Sequence, residues 1–460
     1  VFAWGLVLRD VEPARSVRGA AVLLFAIAPF PAFMAASHMN HATVLMWVLL
    51  GSAALLAVLR GPTRTAPAIG LGFAFGMAAI TRPADALGWG AVAGIWLLSK
   101  LRSDRRYLRP ILLGAIAGLV PLALGAWVNI ETTGSALQSG YQLLWGDNVG
   151  LGFHPAPFGP EHTPVRGVEL VALYLLRLNV YLFESPLPSL LPALAALAIV
   201  PSIRAADRYL LGAVALVFLL YFAYWFDGFY LGPRFVHTAA PVAVLWTARL
   251  PAAIAARWGE GRALRAVCFG GAIAVLMTVA IGLPIRIGQY RGGFVTMRWD
   301  ADRAADQAGV HDAVVLVRES WGAQLLARMW ALGLPRPESE RVYRNVDACE
   351  LDWEITAIEQ AGPKPSVDEV RARLTPLMAD SALLISSPLS PDTTERARPG
   401  ASYSGSCVAR LLEDRAGFTL YAPLLLSRRD DLLFIRDLQG RSAKVVAEQA
   451  GKDVFLLRRR

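Results

Sequence analysis

Up to residue 284 the chain alternates long apolar runs with short polar turns. A helix needs about 20 apolar residues to cross roughly 30 Å of hydrocarbon, because no backbone polar group can go unpaired in lipid. Nine runs approach that length, near 19–36, 42–59, 66–81, 84–99, 110–129, 187–203, 208–226, 235–254 and 266–284. The third and fourth are short and are separated by Thr81-Arg82-Pro83. The expected architecture is a multi-span α-helical membrane domain over 1–284, with residues 1–8, "VFAWGLVL", reading as the tail of a helix that runs into Arg9.

Two segments depart from this pattern. Residues 130–186 form a long loop rich in Gly, Pro and aromatics; positions 168–183 within it carry apolar residues at helical spacing without the length to span, which predicts an interfacial helix. After residue 285, short β-branched runs alternate with helical patterns. Predicted strands are 313–317, 382–386, 418–422, 432–436 and 454–457; predicted helices are 321–332 and 367–378, the latter opened by a capping box, Ser366 with Glu369. That order predicts a small soluble α/β domain over 285–460. Its sequence has no G-x-G-x-x-G, no P-loop and no metal-ligand spacing.

Composition supports the membrane reading: 55% hydrophobic residues and a mean hydropathy of +0.44 are too apolar for a water-soluble chain of this length. The basic residues orient the spans. Arg9, Arg15 and Arg18, then Arg60 and Arg64, then Lys100, Arg102, Arg105, Arg106 and Arg109, and later Arg204, Arg208, Arg257, Arg262 and Arg265, all fall in alternate loops, the mark of the cytoplasmic side. Nine spans from a cytoplasmic start place everything after residue 284 outside. Residues 1–284 hold 20 Lys/Arg against 12 Asp/Glu, and 285–460 hold 25 against 24, so the net charge of +9 is a topology signal and not a nucleic-acid footprint. Of the three cysteines, Cys349 and Cys407 share the outside domain and are a disulfide candidate if the fold brings them together.

Ionisable groups near membrane depth are costly, so their positions are informative. Three clusters collect on the outer side: Ser37 to His41, with His38 and His41; Arg82 with Asp85; and 227–234, with Asp227, Tyr230 and Arg234. The long loop adds Glu131, Tyr141, Asp147, His154, Glu161 and His162. These are expected to line one outward-facing cavity. A guanidinium holds phosphate oxygens bidentately and stays charged, so Arg82 and Arg234 fit a lipid phosphate. The alternative for each is snorkelling to the interface or pairing with Asp85 or Asp227. His38 and His41, at i and i+3 with no acidic partner, read as surface histidines beside an Asn40 helix cap rather than as metal ligands. His154 and His162 either orient a sugar or its acceptor or pack the loop. There is no G-x-S-x-G and no Cys–His pair on one side, so hydrolase readings fall away.

These stretches resemble a known family. "FDGFYLGPRFVHTAAPVAVLW" is similar to the aromatic, Gly-rich turn and G-P-R-[FY] that precede a late span in bacterial membrane glycosyltransferases of the C-type fold (GT-C), particularly the protein O-mannosyltransferase-like group. "GLGFAFGMAAITRPADAL" resembles that group's Gly-rich helix ending in T-R-P, and "DNVGLGFHPAPFGPEHTP" with "LNVYLFESP" resembles its long outside loop. The C-terminal "LLFIRDLQGRSAKVVAEQAGKDVFLLRR" also looks like theirs. The resemblance implies an inverting transfer of a sugar from a polyprenyl-phosphate donor to a glycan, lipid or protein acceptor, at the outer face of the bacterial cytoplasmic membrane. It further implies that Arg82 and Arg234 orient the donor phosphate and that His154 and His162 shape the site. The family's catalytic Asp lies in the first outside loop, whereas the first outside turn here, Ser37 to His41, has no carboxylate. The catalytic base is therefore expected upstream of Val1, with Asp85, Asp147, Glu161 and Asp227 as substitutes that match no family position. Rival readings are a flippase for lipid-linked saccharides and a non-catalytic assembly subunit.

Overall fold

The computed structural model describes residues 1–460 except 38, 147, 158–159, 291–300, 363–364, 384, 387–395, 399, 414–428, 438–441, 450 and 458–460. It divides into two compact units: 1–143, 147–156 and 161–291 in the first, and 144–146, 157–160 and 292–460 in the second.

The first unit is helical. Its elements are α1 (Phe2–Val11), α2 (Arg15–Ile27), α3 (Pro29–Ala35), α4 (His41–Arg60), α5 (Thr65–Thr81), α6 (Pro83–Ser103), α7 (Leu108–Thr133), most of α8 (Gly140–Trp145), α9 (Pro164–Tyr181), α10 (Leu191–Ile199), α11 (Ala205–Phe222), α12 (Ala240–Trp258), α13 (Arg262–Met277) and α14 (Leu283–Gln289). Among the described residues five helical stretches are long and apolar enough to cross a membrane: His41–Arg60, Arg105–Thr133, Ala205–Phe222, Arg234–Trp258 and Arg262–Gln289. A sixth is added if α2 and α3, bent by 58°, make one span.

Nine runs are expected from the sequence, and prolines shape two of those that form no long straight helix. Ala28 precedes Pro29 and is extended (φ −61°, ψ 123°), which breaks the first run, since a residue before proline is pushed out of the helical region. The run at 187–203 shrinks to α10, nine residues or about 14 Å, between Pro188 and Pro201. The third and fourth runs are α5 and α6, joined through the extended Arg82 (φ −152°, ψ 95°) with Pro83 at the first turn of α6.

Packing in this unit relies on small residues. Along the α5–α7 seam a Cβ built on Gly72 would sit 1.7 Å from the Gly114 carbonyl oxygen, and one on Gly76 would sit 2.8 Å from that of Gly118. The two backbones touch, which no residue but glycine permits at Gly72; this is the small-xxx-small contact that lets membrane helices approach closely. The predicted helix at 168–183 is α9, which starts earlier, at Pro164, capped by Thr163, and buries one stripe: Gly167, Leu170, Tyr174 and Leu178.

The second unit contains α15 (Ala301–Gln307), β1 (Ala313–Val317), α16 (Trp321–Ala331), α17 (Arg336–Asn345), α18 (Ala348–Gln360), α19 (Val367–Leu374), β2 (Ile385–Ser386), β3 (Arg396–Ala397), α20 (Gly405–Glu413), β4 (Leu432–Arg436), α21 (Ala443–Ala447) and β5 (Asp453–Leu457). The strands β4, β1 and β5 form a parallel sheet in that order, and β2 pairs antiparallel with β3. The strands read from sequence at 313–317 and 432–436 occur there, and 454–457 starts one residue earlier. That at 382–386 reduces to two paired residues, and 418–422 lies outside the described residues. Ser366 and Glu369 form both halves of the capping box, at 3.3 and 2.7 Å. The helices surround a core that includes Trp321, Leu325, Leu351, Ile355, Val370 and Leu411, each such side chain contributing about 1.5–3 kcal/mol when buried. Cys349 and Cys407 are joined in a disulfide linking α18 to α20, with Cα atoms 5.8 Å apart. At the end of β1, Glu319 is buried and ion-paired to Arg436; burial lifts its carboxyl to about 7, with Arg436 opposing the rise.

Candidate functional site

Four elements meet around one carboxylate. Asp85, in the first turn of α6, is 1% exposed. Its Oδ2 accepts from Arg82 Nε at 2.7 Å and from the Tyr221 hydroxyl at 2.8 Å, and its Oδ1 accepts from Thr238 Oγ1 at 2.9 Å. Arg82 also donates through Nη1 to His41 Nε2 and through Nη2 to the Tyr221 hydroxyl, both at 2.6 Å. The network ties the start of α4, the α5–α6 turn, the end of α11 and the turn before α12. A buried polar group is tolerated only when its hydrogen bonds are made, and here Asp85 receives three. Pairing, the alternative reading of Arg82, is thus what the structure shows.

Arg234 sits beside this network in a different state. Its guanidinium lies 5.2 Å from the centre of the Phe235 ring and 5.7 Å from that of Phe226, and Nη1 is 3.9 Å from Met39 Sδ. No carboxylate among the described residues pairs with it. The expected alternative partner, Asp227, is held instead by Arg177 of α9, with Nη2 donating to Oδ2 at 3.0 Å. The Phe235 ring is shared: Arg82 lies 5.3 Å from its centre, and Tyr221 stacks on it at 4.9 Å. Two cations thus share one aromatic ring, a contact that is favourable for each. The backbone that presents Arg234 is constrained, with Leu231 at φ +55° and Gly232 at φ +123°, where an added Cβ would meet Phe30 at 2.6 Å. The glycine of G-P-R-F is required by this turn.

The remaining sequence candidates divide. Tyr141 reaches the cluster's rim, its hydroxyl 3.4 Å from that of Tyr224, whose ring lies edge-on to Phe235. Tyr230 stays in the turn, its backbone N–H donating to the Gly232 carbonyl. His41 is buried in the network, which corrects its reading as a surface histidine; burial is tolerated because Arg82 donates to its ring. Asn40 occupies the first position before α4 without capping it and sends its amide to the Thr81 carbonyl at 3.0 Å. His162 is buried, stacked on Phe153, with Nε2 3.2 Å from the Phe222 carbonyl oxygen; His154 lies with its ring nitrogens 3.0 and 3.3 Å from the carbonyl oxygens of Pro155 and Gly150. Both pack the loop. Glu161 is exposed. His38 and Asp147 lie outside the described residues. Among the described residues no set of three or more His, Cys, Asp or Glu is placed to hold a metal ion.

Sequence reasoning missed Tyr221 and Thr238, whose types are ordinary at a helix end. It also missed a second buried ion cluster, where Arg249 of α12 donates to Glu12 Oε2 at 2.8 Å, Asp207 Oδ1 at 2.7 Å and the Val11 carbonyl at 3.2 Å. A signal for it existed: Arg249 interrupts the apolar run "AAPVAVLWTARLPAAIAARW". No family model, curated protein or solved structure matches the chain.

Proposed function

We propose that this chain is a membrane-embedded glycosyltransferase of the GT-C type that takes its sugar from a polyprenyl-phosphate donor at the outer face of a bacterial cytoplasmic membrane. One observation carries the reading: Arg234 is a permanent cation on an aromatic platform with no acidic partner among the described residues, beside a second arginine that is fully engaged. Arg234 grips the donor phosphate, and Arg82, with three donors occupied, holds the floor of the site and adds its positive field. Asp85 and Asp227 are positioning groups, because their oxygens are taken by Arg82, Tyr221 and Thr238 in one case and by Arg177 in the other. The acceptor hydroxyl requires a base, and the reading assigns that role to neither of them.

The test is donor binding by Arg234→Ala and Arg234→Lys in detergent, with thermal unfolding as the control. Charge-assisted hydrogen bonds contribute about 1.5–3 kcal/mol, so Arg234→Ala should weaken binding of a polyprenyl-phosphate sugar about 10- to 150-fold, with partial recovery in Arg234→Lys. Unchanged affinity in a folded Arg234→Ala protein would sink the proposal. The second reading is a flippase for lipid-linked saccharides, favoured by the buried Glu12–Arg249–Asp207 cluster, since charges inside a membrane domain often mark a transport path. Translocation of the donor lipid without cleavage of its sugar would select it.

A further inference from the structure

Away from the Arg82 network, α5, α6 and α7 enclose a cleft of about 250 Å³. Its lining residues are all of apolar type and include Gly72, Phe75, Gly90, Gly94, Leu98 and Ile111. Glycine creates the space: a Cβ on Gly94 would meet nothing within 4 Å, and one on Gly90 would meet only the Phe75 ring, at 3.6 Å. The cleft also takes in Leu97 and Pro110, so it reaches to within one helical turn of the α6–α7 loop on α7 and about two on α6.

That loop and the helix ends that flank it are strongly basic and largely unneutralised. Lys100, Arg102, Arg105 and Arg109 are exposed. Asp104 is engaged by Arg106 at 2.9 Å, and Arg109 donates to Thr65 Oγ1 at 3.2 Å. Among the described residues no carboxylate pairs with Lys100, Arg102 or Arg105. An apolar slot for a hydrocarbon chain therefore opens next to a set of free cations, the two halves of an anionic lipid. Clusters of Lys and Arg beside a membrane helix attract anionic headgroups, each contributing to the preference.

We infer that the α5–α6–α7 cleft binds one anionic phospholipid, with an acyl chain between Gly94 and Ile111 and the phosphate among Lys100, Arg102 and Arg105. A neutral phospholipid fits the slot and lacks the headgroup contacts, so it is held less tightly. The site is separate from the one assigned to Arg234, and its test does not depend on sugar transfer.

The experiment is native mass spectrometry of the whole chain exchanged into detergent with equimolar phosphatidylglycerol and phosphatidylcholine. Wild type should retain one phosphatidylglycerol per chain, favoured at least about tenfold over phosphatidylcholine. Gly94→Leu fills the slot and should lose both lipids. Lys100→Gln with Arg102→Gln, at exposed positions that leave the fold intact, should keep a lipid and lose the preference. Equal retention of the two lipids by wild type, the mark of an unselective lipid annulus, overturns the inference. So does wild-type phosphatidylglycerol occupancy in Gly94→Leu, or an unchanged preference in the double glutamine variant.

Discussion

Arg249 offers the sharpest test of what holds the helical unit together. It joins three elements: α12 carries it, Glu12 follows α1, and Asp207 lies in the first turn of α11. All three residues are at most 8% exposed. Arg249→Met keeps roughly the same length and contact with Trp246, whose ring the guanidinium now overlies at 4.7 Å, and removes the charge. Two charge-assisted hydrogen bonds vanish, about 1.5–3 kcal/mol each, and two carboxylates are left buried without their cation; breaking a buried pair costs about 3–5 kcal/mol. The expected loss is therefore about 3–5 kcal/mol, a large share of the roughly 5–15 kcal/mol that holds a typical protein folded. The assay is unfolding in detergent followed by tryptophan fluorescence, with Glu12→Gln, Asp207→Asn and Arg249→Met combined as the closing corner of the cycle. The triple variant should regain most of the loss, because replacing a whole buried ion cluster is often neutral. A loss below about 1 kcal/mol in Arg249→Met, or a triple variant no more stable than the single one, would refute the argument that the carboxylates depend on this arginine.

Three further predictions follow from packing, cross-linking and titration. Gly72→Ala drives a methyl into the Gly114 carbonyl, so the α5–α7 seam must open and the folded yield in detergent should collapse, whereas Gly94→Ala, in open space, should be neutral by the same size-exclusion assay. Cys349→Ser opens a loop of 58 residues; the chain-entropy estimate is about 4 kcal/mol, read as a lowered melting transition that wild type reproduces under reductant. Glu319 has an ordinary value of 4.5 and is lifted to about 7 in the fold, so folded chain holds the proton more tightly than unfolded chain. Its contribution is complete below about pH 4.5 and is lost as pH rises to about 7, roughly 3 kcal/mol in all. Amide exchange in β1 and β4, corrected for intrinsic rate, should show weaker protection at pH 8 than at pH 5, and Glu319→Gln should flatten the difference; protection that rises with pH contradicts the reasoning.

Much of the architecture was legible because membrane runs and parallel strands leave strong local patterns. The apolar runs marked α4, α7, α11, α12 and α13, and the β-branched runs marked β1 and β4. The runs and the helices differ where proline, a local effect, bends or shortens apolar sequence, at Ala28 and around α10. At the site, the sequence separated the cations from the rest but not from each other. Arg82 and Arg234 look alike in their motifs, and only the fold shows that Tyr221, 139 positions away, completes the shell of the first. Arg177 takes Asp227 across 50 positions, which no spacing rule reveals. The disulfide was legible as a pair and needed the fold to bring α18 beside α20.

The glycine seam between α5 and α7 has a consequence for where motion can occur. Close contacts run from Gly114 against the Ala68 carbonyl to Gly125 against Ile80, about 18 Å of helix. Sliding by one residue would bring Phe73 or Phe75 into a gap sized for hydrogen atoms. The pair is keyed in register, and α5 runs directly into Arg82. The seam thus acts as a ruler that sets the depth of the Arg82 guanidinium, so on the proposed reading a donor phosphate at Arg234 would meet a fixed wall on one side and any adjustment would fall to the turn that carries Arg234.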